Sequence, residues 1–384
     1  MKRKQVLAAA AVIIVVAVLA ISAFLILAED EGNQSDFKLT NRSVAVVTDS
    51  DNLKKTISLA LSESTFKITT FDSFGEVAAY DMVIIDGVWA ATQDDLTVKN
   101  EIKALIEHNN AVVMLDDSPY YLLESGVAVD YLAFNEDSQL YGLMNTYAGQ
   151  TYYLNVAYDY DLMEAIISAY NWADETITEA NTLNDTDDVY WKNLGNALYI
   201  ETCDDRGSIV YNTEFYKLKG EYCDNGYDYY YTHYSLDAES LPGYFVSQMR
   251  ITHDVTSNGL YPNQTLYDYT PGLITSSPAI LVRMGATIEL NGTNVSIPAE
   301  WKYELSNVAI SDRSQTDQNI MDLIFNITDS GLGIRLVEPG NLVRVDTATG
   351  EGYYFSDEYT IEFGKSSSEN DFVAYTFHTN LLIH

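Results

Sequence analysis

Tyr80-Asp81-Met82-Val83-Ile84-Ile85-Asp86-Gly87, followed one helix-length later by Asn110-Ala111-Val112-Val113-Met114-Leu115-Asp116, decides how the first half of this chain folds. Both strings are unbroken apolar runs closed by a carboxylate, the pattern of strands buried on both faces of a parallel sheet. Between them Val98, Ile102, Leu105 and Ile106 recur at helical spacing and predict a helix over Leu96 to His108 that packs on that sheet. Working outward, strands are expected at Ser43 to Thr48 and Phe66 to Phe71, with a helix at Asn52 to Ser62 between them. The amphipathic stretch Asp161 to Ala180 closes a doubly wound domain over residues 42–180.

These strings resemble class I glutamine amidotransferase-like and other flavodoxin-like domains. The resemblance implies a nucleophilic cysteine on the turn after the strand Ala111 to Leu115, but that turn reads Asp116-Asp117-Ser118-Pro119 and the domain contains no cysteine. Thiol catalysis in the family manner is thereby excluded. Ser118 is a poor substitute, because Pro119 removes a backbone N–H from the place of an oxyanion hole. His108 reads as a cap at its helix end rather than a catalytic base. The domain also resembles response-regulator receivers, with Asp49 and Asp51 after the first strand and Asp86 after the third. Those three carboxylates form a candidate Ca²⁺ or Mg²⁺ site; no other cofactor is expected. The lysine that receiver chemistry needs is missing, since residues 104–191 contain 16 carboxylates and no lysine or arginine.

Beyond the polar, acidic stretch Glu179 to Asp188 the pattern turns to β. A tyrosine-rich β domain is expected over residues 187–278 and a β-sandwich-like domain over 279–384, where Tyr359 to Phe363 and Val373 to Phe377 alternate polar and apolar residues. Tyr227, Tyr229, Tyr231 and Tyr234 crowd one strand there. They are the candidate binding residues, because a tyrosine ring stacks while its hydroxyl bonds. The alternative is cross-strand packing. Gly364-Lys365-Ser366 is only the tail of a phosphate-binding loop, and the histidines show no zinc-ligand spacing.

At the other end, Val6 to Ala28 is an unbroken apolar run behind Lys2, Arg3 and Lys4. It is expected to cross a membrane once, leaving residues 1–5 as a cytoplasmic tail and 29–41 as a stalk, with everything beyond extracytoplasmic. A cleaved signal peptide ending near Ser22 is the rival reading of the same run. The expected fold class is thus an N-terminal transmembrane helix, a doubly wound flavodoxin-like α/β domain and a C-terminal β-sandwich-like region. With 56 acidic and 21 basic residues the chain carries a net −35, which excludes nucleic acid as a partner.

In an oxidising compartment Cys203 and Cys223 are expected to form a disulfide, although a meander with hairpin turns near residues 204–207 and 225–226 would hold them more than about 20 Å apart. Glycosylation sequons stand at Asn33, Asn41, Asn184, Asn263, Asn291, Asn294 and Asn326. Asn326 is expected to face solvent, opposite Leu323, Phe325 and Ile327. Such an acidic, glycosylated exterior is that expected of an archaeal envelope protein. Topology and missing catalytic motifs together point to a non-catalytic structural or adhesive role, with envelope proteins or glycans as partners. The alternative is an anchored hydrolase or glycan-processing enzyme that uses paired carboxylates such as Asp116 and Asp117.

Overall fold

The computed structural model describes residues 42–61, 67–115, 119–125, 133–134, 138–158, 160–182, 190–224, 226–255, 263–270, 281–282, 287–290, 293–296, 303–304, 308–327, 334–350, 352–366 and 371–383. The expected tail, span Val6 to Ala28 and stalk lie outside these residues, as do Asp116, Asp117, Ser118 and most of the expected linker.

In chain order the strands are β1 (Ser43–Val47), β2 (Lys67–Phe71), β3 (Met82–Asp86), β4 (Ala111–Leu115), β5 (Ser138–Asn145), β6 (Thr151–Ala157), β7 (Trp191–Cys203), β8 (Gly207–Leu218), β9 (Tyr227–Ser240), β10 (Tyr244–Asp254) and β11 (Gln264–Thr270). Four short strands follow: β12 (Leu281–Val282), β13 (Thr287–Leu290), β14 (Thr293–Ser296) and β15 (Tyr303–Glu304). The chain then forms β16 (Val308–Asp312), β17 (Ile320–Ile327), β18 (Ile334–Val337), β19 (Gly340–Asp346), β20 (Tyr353–Lys365) and β21 (Phe372–Ile383). The helices are α1 (Asp51–Ala60), α2 (Gly87–Ala90), α3 (Asp95–Glu107), α4 (Tyr120–Glu124) and α5 (Leu162–Thr182). Side-chain oxygens start four of them: Ser50 accepts from the Leu53 N–H ahead of α1, Asp86 from the Val88 and Trp89 N–H groups ahead of α2, Asp94 from the Thr97 N–H ahead of α3, and Asp161 from the Met163 and Glu164 N–H groups ahead of α5.

The first four strands are parallel in the order β2-β1-β3-β4. There the doubly wound pattern stops. β5 joins β4 antiparallel, β6 returns as a hairpin, and β7 then pairs with β6 in parallel. β8, β9, β19 and β11 extend the sheet antiparallel, with β18 also on β9, giving twelve strands. Gly195 shows how tight the β6–β7 seam is: it sits at φ +118° in a bulge of β7, where any Cβ would overlap the Thr151 carbonyl.

One face of this sheet carries α1 and α5, which bury Ile57, Ala165, Ile166, Ala169 and Ala173 against Val44, Met82 and Leu154. The opposite face changes partner along its length. α2, α3 and α4 cover it at β1, β3 and β4; a second sheet, ordered β16-β17-β10-β20-β21, covers it at β8 and β9. Met249, Ile251, Leu323, Phe325, Phe355 and Ile361 line the inner face of that second sheet.

The expected fold class is therefore corrected. Single strands and helices fall close to where periodicity put them, but they assemble into one mostly β molecule, only loosely flavodoxin-like, rather than an α/β domain followed by separate β domains. The expected boundary near residues 180–187 lies between two hydrogen-bonded neighbours, β6 and β7. The single-pass membrane localisation is corrected too: no helix among the described residues is long and apolar enough to cross a membrane. α5, the longest, carries Glu164, Asp174, Glu175 and Glu179.

Candidate functional site

Alternation along β9 sends its tyrosines to both faces of the large sheet, and both faces are covered. Tyr229, Tyr231 and Tyr234 are all but inaccessible, with 1 %, 0 % and 0 % of their surface exposed, and Tyr227 is half-buried beneath the Arg344 guanidinium. Their role is packing: Tyr234 stacks on Tyr211, and Tyr231 meets Trp191 edge-on. The expected open tyrosine face is absent because the second sheet closes one side of β9, and Trp191, Leu218 and Leu342 close the other.

Between the two sheets these rings surround a polar cluster that motif spacing did not single out. His253 of β10 places Nδ1 2.7 Å from Asp357 Oδ1 and 2.6 Å from the Tyr234 hydroxyl, and Nε2 2.8 Å from the Tyr353 hydroxyl. Tyr211 donates to the other Asp357 oxygen at 2.8 Å, and Asn341 Nδ2 donates to Tyr234 at 2.7 Å. The tautomer that satisfies these groups keeps its proton on Nδ1, facing the carboxylate, while Nε2 accepts from Tyr353. A carboxylate orienting an imidazole in this way resembles half of a catalytic triad. Yet both His253 and Asp357 are 0 % exposed, and Nε2 is already engaged. Burial, with the Asp357 charge next, pushes the Tyr211 and Tyr234 hydroxyls well above their ordinary pKa. The cluster is a clamp between sheets. Its one sequence signal was a histidine continuing the inward series Met249, Ile251 on β10.

The opposite face of β8 and β9 is acidic. Glu214 stands opposite Asn196 on β7 and His233 on β9, and Asp237 and Glu239 follow on the same face. α5 adds Glu164 and Glu179. Burial, then the charge of Glu214, pushes Glu179 up to about 7, against hydrogen bonds from Tyr152 and Asn193. Burial and Glu239 likewise raise Asp237 to about 7. Burial raises Glu239, and burial with Asp161 and Glu239 raises Glu164. Burial also works to raise Glu214, but the His233 imidazole at 3.4 Å and the Tyr216 hydroxyl at 2.9 Å outweigh it and hold this carboxyl below its usual range. The buried Oδ1 of Asp237 has no hydrogen-bond partner among the described residues.

The candidate cation site does not assemble. Asp86 is buried; one oxygen accepts from the Val88 and Trp89 N–H groups that open α2, the other from the Thr48 hydroxyl. Asp51 is exposed beside Lys54, and Asp49 is exposed. Among the described residues no three His, Cys, Asp or Glu side chains are grouped to hold a metal. Cys203 and Cys223 form no disulfide, which corrects the expected bridge: Cys203 pairs with Gly207 at one end of β8, whereas Cys223 lies beyond Leu218 at the other. Among the sequons, Asn263 is exposed. Asn326 is partly exposed, on the face opposite the buried Leu323 and Phe325, and its amide is engaged sideways: Oδ1 accepts from Gln248 at 2.9 Å and Nδ2 donates to the Ala309 carbonyl and the Ser311 hydroxyl on the adjacent strand. Asn33, Asn41, Asn184 and Asn291 lie outside the described residues, as does the side chain of Asn294. His108 is the helix cap its position implied, with Nδ1 2.6 Å from the Ala104 carbonyl.

Strand β21 lies at one edge of the second sheet. It pairs with β20 without interruption from Tyr353–Ile383 to Gly364–Phe372, and no described strand pairs with its other side. Val373, Tyr375 and Phe377 turn toward the core while Phe372, Ala374, Thr376 and His378 are exposed.

No family model matches this chain, and no curated protein matches it. Among solved structures it is similar to a protein described as a pore forming protein, with a TM-score of 0.29 and 10 % identity over 49 % of this chain and 85 % of that one. It is also similar to Clostridium perfringens delta-toxin, with a TM-score of 0.27 and 10 % identity over 51 % and 90 %. The Clostridium perfringens NetB toxin in its membrane inserted form gives a TM-score of 0.24 and 8 % identity over 49 % and 91 %. Likenesses of this size carry no functional argument.

Proposed function

We propose that this chain is a non-catalytic interaction protein, structural or adhesive, that engages a protein partner by strand addition at β21. The observation that carries this reading is a 12-residue edge strand, Phe372–Ile383, whose outer backbone groups pair with no described strand. Strand addition takes its affinity from main-chain hydrogen bonds and its selectivity from alternate side chains. A photo-crosslinking residue at the exposed Thr376, in intact source cells, tests it. A discrete adduct that disappears with Ala374→Lys, and that the same probe at Ala309 on the opposite edge β16 does not give, supports strand addition. A folded protein that forms no adduct at Thr376 overturns it.

A second reading, carboxylate-based hydrolysis, is favoured by one observation. Glu179 and Glu214 are neighbouring carboxyls whose pKa values are driven in opposite directions, as an acid–base pair requires. Release of reducing ends from a panel of neutral and acidic polysaccharides, abolished by both Glu179→Gln and Glu214→Gln, would establish it.

A further inference from the structure

The end strands of the large sheet and the other end strand of the second sheet are guarded in the usual ways. β2 is five residues long and opens on Lys67; β16 is five residues and ends on Asp312; β11 carries Asp268 and a bulge between Leu266 and Asp268. Short length, charge and bulges all discourage edge-to-edge pairing. β21 has none of these. Its sequence, Phe372-Val373-Ala374-Tyr375-Thr376-Phe377-His378-Thr379-Asn380-Leu381-Leu382-Ile383, contains no Asp, Glu, Lys, Arg, Pro or Gly, and its register against β20 has no bulge.

Resting on strand addition at β21, we infer that the strand it adds is β21 of a second copy, antiparallel about a two-fold axis through His378. Two observations select this occupant. The first is register. Pairing that keeps inner faces together must match residues of equal parity, since a one-residue slip would set core-facing against solvent-facing side chains. With His378 on the axis, Val373 meets Ile383, Tyr375 meets Leu381 and Phe377 meets Thr379 on the inner face, while Ala374 meets Leu382 and Thr376 meets Asn380 outside. Apolar residues thus meet apolar residues at each inner position but one, and the interface is self-complementary, as a two-fold contact must be.

The second observation is charge. A chain of net −35 repels a copy of itself across most of its surface, and β21 offers a 12-residue seam with no acidic side chain. On the adjacent β20, Glu358, the outer-face carboxylate closest to the axis, is already partnered by the Arg250 guanidinium at 3.7 Å. Two copies would form one ten-stranded sheet whose remaining edges are the two guarded β16 strands.

Sedimentation equilibrium of the purified full chain from about 0.1 to 100 μM is the test. The expected result is a dimer that Ala374→Lys and Thr376→Lys, both at exposed positions, each weaken at least tenfold without changing the circular dichroism spectrum or Tm. Nitroxide labels on His378→Cys should then lie within about 20 Å of each other, the span of two label arms across one strand pair. A monomer throughout that range, or a dimer indifferent to both lysines, overturns self-pairing. The crosslink at Thr376 separates this failure from failure of the underlying reading. An adduct of twice the chain mass supports the second copy, an adduct with a different protein overturns the copy but keeps strand addition, and no adduct overturns both.

Discussion

The two faces of the β8–β9 ladder make opposite use of polar residues. Toward the second sheet, His253, Asp357, Tyr211, Tyr234 and Tyr353 are sealed from water and pair with one another within 2.9 Å. Toward α5, Glu164, Glu179, Asp237 and Glu239 share partly buried space in which no lysine or arginine among the described residues offsets their charge. The first arrangement ties two sheets together through complementary groups. The second makes the docking of a helix depend on protons taken from solvent. Burial alone thus says little about what a polar residue contributes; its neighbours' charge decides.

The largest effect expected from this contrast is on the sealed side. Asp357→Ala leaves His253 and Tyr211 buried without their acceptor and should cost about 3–5 kcal/mol in urea unfolding, the range for removing one member of a buried pair. Adding His253→Ala should cost much less than the sum of the two single losses, because the groups act as one unit.

On the acidic side, pH is the lever. Carboxyls raised to about 7 in the fold take up protons on folding. Their contribution is therefore complete below the unfolded values of 4.5 and 3.8 and is lost as pH climbs through about 7. Glu214, held low, acts in the opposite sense and loses its contribution only as pH falls below 4.5. Stability should thus rise by about 2 kcal/mol from pH 8 to pH 5, after allowance for solvent screening, and turn down in more acid solution. A melting temperature that is flat or falls between pH 8 and pH 5 would contradict the proton-dependent docking of α5.

Glu179→Gln sharpens the same point, since it removes the charge at every pH. It should stabilise the protein by about 1 kcal/mol at pH 8 and change little at pH 5. The smallest effect is expected from Tyr216→Phe, about 0.5–1 kcal/mol for one hydrogen bond, felt mainly as an earlier loss of stability on the acid limb because Glu214 loses a donor.

Local patterns were readable where one strand or helix carried its own signal. The continuous run Ala111 to Leu115 is β4 residue for residue, and the spacing of Val98, Ile102, Leu105 and Ile106 placed α3. Assembly was not readable, because pairing has no local signature. Nothing near Thr151 announces that it lies against Gly195 across an acidic, sequon-bearing stretch. Alternation in β9 reveals two faces but not that both are covered, so tyrosines that pack and tyrosines that bind carry the same sequence pattern. The thiols show the reverse: the rise along a strand already argued against the bridge that their compartment suggested. β21 was legible as a half-buried strand, but edge position belongs to the topology of the whole sheet.

The order of strands also bears on how this protein is made. β9 receives β19 as its neighbour, so His233 waits for Gly340, 107 residues further along the chain. During synthesis the large sheet can close as far as β9 and must then stand with a bare, tyrosine-lined flank until the ribosome has passed residue 346. Contacts so distant in sequence slow folding and lengthen exposure to aggregation. Nascent chains halted between residues 255 and 340 should therefore recruit holding chaperones that the completed protein does not.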